Sequence, residues 1–174
     1  MTCSICNASE GRLEELLRSL TDPALLVTLA CDFAERVCGE TPDTEQSRAW
    51  LASARAWQDQ PESAAQATDE AGETSNTAVS AANSAWAATC AVSSATWIAV
   101  EAVKARADES EDIPPHIAAE LARIPNWVAA AKGYSPEART WQLRHVQELA
   151  CTCLTLVASD PSSPRFRPST LATN

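Results

Sequence analysis

Residues 61–107 read PESAAQATDEAGETSNTAVSAANSAWAATCAVSSATWIAVEAVKARA. After Pro61 the stretch has no proline, and Gly72 is its one glycine. Trp86, Cys90, Ser93 and Trp97 recur at steps of four, three and four. Val79 lies one heptad before Trp86, and Val100 one heptad after Ser93. That is helical spacing. Small residues around two tryptophans let neighbouring helices approach closely. The stretch predicts one long central helix, or two helices sharing an axis, with a polar first half (Asp69, Glu70, Gly72, Glu73, Ser75, Asn76) and a packed second half from Val79.

Helical signals continue on both sides. Leu13, Leu16, Leu17 and Leu20 form an i, i+3, i+4, i+7 stripe, predicting a first helix over 10–20. Asp22-Pro23 is an N-cap followed by proline at the first helical position. The helix it starts is expected to run to about Cys38, burying Leu26, Leu29, Ala30, Phe33 and Val37. Gly39 closes it. Thr41-Pro42-Asp43 starts a third helix, to about Asp59, with a heptad echo in Arg48-Ala49-Trp50 and Arg55-Ala56-Trp57. Tryptophan and arginine are enriched at binding hot spots, but the plainer reading has Trp50 and Trp57 filling a core of alanines and the arginines pairing with acidic neighbours. Pro114-Pro115 precedes a short helix over 116–124, which Pro125 kinks or ends before one or two further turns to Lys132. Ser135-Pro136-Glu137 begins the last helix, with Leu143, Val146, Ala150, Cys153 and Val157 as its buried stripe.

These signals predict an all-α antiparallel bundle of about six helices around one long Ala-rich central helix. Residues 10–158 form a single domain. A flexible Cys-bearing tail (1–9) and a disordered Pro-rich tail (159–174) flank it. All six tryptophans are expected to be buried or half-buried.

The 174 residues carry a formal charge of −10. Nucleic-acid affinity comes from Lys and Arg neutralising phosphates, so no nucleic-acid partner is expected. A basic partner suits this charge, with steering of its encounter. No run of about 18 apolar residues is present, and the N-terminus lacks a secretion pattern. A cytoplasmic location with reduced cysteines is therefore expected. Cys3-x-x-Cys6 and Cys151-x-Cys153 are the thiols that would serve a metal or redox role, although zinc needs four ligands at suitable spacing. Cys31 and Cys38 read as core fillers.

Recognisable chemistry is absent. The two histidines, His116 and His145, form no HxxxH or HExxH. There is no ExxH, no glycine-rich phosphate loop and no GxSxG elbow. The acidic run Asp108–Asp112 lacks EF-hand spacing. No catalytic residue, cofactor or metal site is assigned. The clustered carboxylates Asp69, Glu70, Glu73, Asp108, Glu109, Glu111 and Asp112 are the candidate partner contacts.

Three stretches carry a resemblance: Leu29–Val37 (LACDFAERV), Ser47–Trp57 (SRAWLASARAW) and Glu137–Leu143 (EARTWQL), with the alanine-rich Ala81–Ala88 between the last two. In this order they resemble the immunity-protein-five-like family of bacteria, over roughly residues 24–157. Positions on the long helix that are Glu-rich or His-bearing in that family are Ser, Thr and Asn here. The resemblance implies a cytosolic protein that binds and neutralises a cognate toxin, and it implies no catalytic residues. Two other readings of the same bundle stand beside it: a non-catalytic scaffold in a biosynthetic or defence cluster, and a Cys-based metal or redox protein.

Overall fold

A computed structural model of the chain describes residues 17, 20, 22–78, 83–108, 114–132 and 140–149. These residues form helices packed together as a bundle, and no strand occurs among them. In chain order they are α1 (Pro23–Glu35), a 3-10 turn (Cys38–Glu40), α2 (Thr44–Arg55), α3 (Pro61–Thr77), α4 (Asn83–Ala107) and α5 (Pro115–Lys132). Residues 140–149 are the helical segment α6. Of the stripe over 10–20, Leu17 and Leu20 are described, and both are buried. The two tails, Cys3, Cys6, Cys151, Cys153 and the helix start at Ser135 lie outside the described residues.

Capping residues set where the helices begin. Asp22 Oδ1 accepts from the Ala24 and Leu25 backbone N–H groups at 2.8 and 3.4 Å, and Pro23 follows at the first turn. α1 stops at Glu35, short of Cys38, because the chain tightens into the 3-10 turn. There the Thr41 hydroxyl donates to the Cys38 carbonyl at 2.6 Å, and Ser47 donates to Thr41 at 3.0 Å. With Thr41 so used, Asp43 caps α2, accepting from Gln46 N–H at 2.9 Å. α2 ends at Arg55, and residues 56–59 turn while keeping Trp57 only 5% exposed.

Residues 61–107 differ from the expected coaxial arrangement. α3 and α4 are two helices that pack side by side, with five residues between them. Helices this closely joined can touch along their length only by reversing direction, as an antiparallel hairpin. Ala64, Ala67 and Ala71 give α3 a narrow buried edge, and Glu62, Gln66, Asp69 and Glu73 are exposed.

α4 is the centre of the bundle, since α1, α2, α3, α5 and the 3-10 turn all pack on it. Its deeply buried apolar positions are Ala87, Ala88, Ala91, Val92, Ala95, Ile98, Ala99 and Ala102, with Thr89 and Thr96 buried among them. The heptad stripe Trp86, Cys90, Ser93, Trp97 and Val100 is only half-buried. Alanine permits the closest helix approach, so neighbours crowd the alanine side and the tryptophans sit at its margin. Trp86 meets Trp127 of α5 edge to face at 5.3 Å, and Trp97 lies 5.7 Å from the His116 ring. By length and mean hydropathy, 1.2 over its best window, α4 is also the one described helix that could cross a membrane; 56% of that window is buried inside the bundle. Scattered Ser and Thr interrupt any long apolar run, but Ala, Val, Ile and Trp raise the average.

α5 passes through Pro125 without ending. Gln142 of α6 is fully buried against this point, and its Nε2 donates to the Pro125 carbonyl at 3.2 Å, while Oε1 has no partner among the described residues.

Candidate functional site

Two charged regions stand out, and they are built differently. The first is a node where α1, α2 and α6 meet. Asp32 Oδ1 accepts from Arg55 at 2.9 Å, and Asp32 Oδ2 lies 2.8 Å from His145 Nε2. Arg55 also donates to Glu35 at 2.6 Å. Burial works against the Arg55 charge, but its hydrogen bonds to Glu35 and Asp32 outweigh that and hold the guanidinium above its usual range. The His145 ring stacks on Trp141 at 4.9 Å and 14°, Phe33 meets Trp141 edge to face at 5.9 Å, and the Arg36 guanidinium lies 4.2 Å over Trp141. The plainer reading of the arginine–tryptophan echo thus holds for Arg55, which pairs with two acids, and for Trp50 and Trp57, which are buried.

This node draws one residue or more from each of the three stretches that carry the family resemblance: Asp32, Phe33, Glu35 and Arg36 from the first, Arg55 from the second and Trp141 from the third. Sequence reading treated those stretches as separate signatures. His145 was missed as a member, because nothing local marks a partner 113 residues away.

The second region is the outer face of α3. Glu62, Gln66, Asp69 and Glu73 are all exposed at steps of four, three and four, and Asp59 precedes them in the turn. No Lys, Arg or His occurs from residue 56 to residue 103, so no cation on α3 or on the first five turns of α4 offsets this stripe. Of the expected contacts, Asp69 and Glu73 lie on it. Glu70 is turned toward α2 instead: it accepts from the Trp50 indole N–H at 2.8 Å and from Gln66 at 2.8 Å, and these bonds, Trp50's first, hold its carboxyl below the usual range. Asp108 is exposed just past the end of α4, and Glu109, Glu111 and Asp112 lie outside the described residues. At 1.5 Å per residue, Asp69 is about 12 Å from the α3–α4 turn and Asp108 about 37 Å from it. The fold therefore keeps these two acidic groups well apart.

A cavity of about 290 Å³ lies between the start of α1 and the turn after α2. Ala24, Val27 and Trp57 supply its apolar walls, and Thr28, Arg55 and Asp59 are among its polar ones; neither Asp32 nor His145 lines it. The described cysteines are poorly suited to nucleophilic work. Burial pushes the Cys31 thiol up to about 12 and Cys38 up to about 11. Cys31 Sγ lies 4.0 Å from the Leu51 carbonyl. No group of three metal-ligating side chains occurs among the described residues.

Comparison of the chain with family models, with curated proteins and with solved structures finds no match. The family resemblance rests on the quoted residues alone.

Proposed function

We propose that this chain is an immunity-like binding protein, which captures and neutralises a basic protein effector in the cytosol of the cell that makes it. The observation that carries this reading is the stripe Glu62, Asp69 and Glu73, with Asp59 in the turn before it: all four are exposed, none forms an ion pair among the described residues, and no cation follows in the sequence before Lys104. A fixed row of carboxylates on a helix held by α2 and α4 offers a preorganised field to a basic cleft. Such complementarity raises the encounter rate and fixes register. The resemblance of the three node-forming stretches to bacterial immunity proteins supports the same reading.

The test is capture from the native host at low salt, comparing the tagged wild type with the variant D59N/E62Q/D69N/E73Q. The expected result is a stoichiometric basic protein, held by the wild type, released by salt, lost from the variant, and harmless to cells only when the wild type is co-expressed. Undiminished capture by the variant, or no toxicity in the captured protein, would overturn the proposal.

A further inference from the structure

We draw no further inference here: the strongest candidate, the half-buried stripe of Trp86, Cys90, Trp97 and Val100 along α4 beside Trp127 of α5, is an apolar face, and nothing in the structure shows what covers it.

Discussion

The node around Asp32 and the outer face of α3 both carry several carboxylates, and they use them in opposite ways. At the node every carboxylate named pairs with Arg55: Asp32 and Glu35 both accept from it, and Asp32 also meets the His145 ring. Aromatic rings close around it, with Phe33 fully buried and Trp141 stacked on His145. The charge there cancels locally, and what remains is a cross-link among three helices distant in sequence. On α3 the carboxylates face solvent at helical spacing with no cation on that helix. Paired charge holds a fold together; unpaired charge on a rigid face is available to a partner. Substitutions in the two regions should therefore separate stability from binding.

The largest effect on stability is expected from Phe33→Ala. Phe33 has no exposed surface and contacts Trp141 at the point where α6 docks on α1. Truncating a buried phenylalanine costs about 3–4 kcal/mol. Urea unfolding would show it as a lower midpoint with an unchanged slope. A loss below about 1 kcal/mol would mean that α6 docks without this contact, and the node would then be a surface feature.

Asp32→Ala should cost less, about 1–2 kcal/mol, because its pairs are partly exposed and screened. Asp32 joins two elements at once, so its removal leaves His145 without its carboxylate partner and Arg55 with Glu35 alone. A double-mutant cycle with His145→Ala should then show coupling of about 0.5–1 kcal/mol. Additive losses would reduce the 2.8 Å contact to mere proximity.

Much of this fold was legible because its signals are local. Asp22-Pro23 and Pro61 announce helix starts through the chemistry of single residues, and Thr41-Pro42-Asp43 announces another, although the cap is its last residue, Asp43. The all-α class follows from alanine content and periodicity. What could not be read were choices between equivalent periodic solutions. The pattern over 61–107 suits one continuous helix as well as a hairpin, since residues 78–82 (AVSAA) contain no proline or glycine to mark a turn. Likewise the stripe from Trp86 to Val100 looks like a packing face, but bulky rings hold neighbours off and alanines admit them. Asp69 and Glu73 were found by composition alone, and Glu70 was grouped with them because sequence does not show that Trp50 lies across from it.

That Trp50–Glu70 contact ties the α3 face back to α2 and gives a smaller effect. Hydrogen bonds from Trp50 and Gln66 hold the Glu70 carboxyl below its ordinary value of 4.5. A depressed carboxyl stabilises the fold above that unfolded value, and the contribution drains as pH falls through the lower folded one. Trp50→Phe should therefore remove part of the acid sensitivity below pH 4.5 and leave the neutral-pH salt dependence of stability alone. Acid unfolding followed by circular dichroism, wild type against variant, measures this directly. An unchanged acid limb would show that Glu70 titrates free of Trp50.

The smallest effect on stability is expected where the effect on binding should be greatest. Asp69 and Glu73 are like charges four residues apart on one helix face, an arrangement that costs a few tenths of a kcal/mol. Replacing them by Asn and Gln removes that repulsion and breaks no ion pair that either residue makes among the described residues. The double variant should unfold within about 0.5 kcal/mol of the wild type. Its association with a basic partner at low salt should slow by about tenfold, and the difference should shrink as ionic strength rises and screening shortens the field. The salt series separates two causes. Steering makes the rate gap close with salt, whereas a lost close contact speeds dissociation and leaves a gap in affinity at any ionic strength. A wild type and variant that associate equally fast at low salt would show that the charge on α3 serves only solubility.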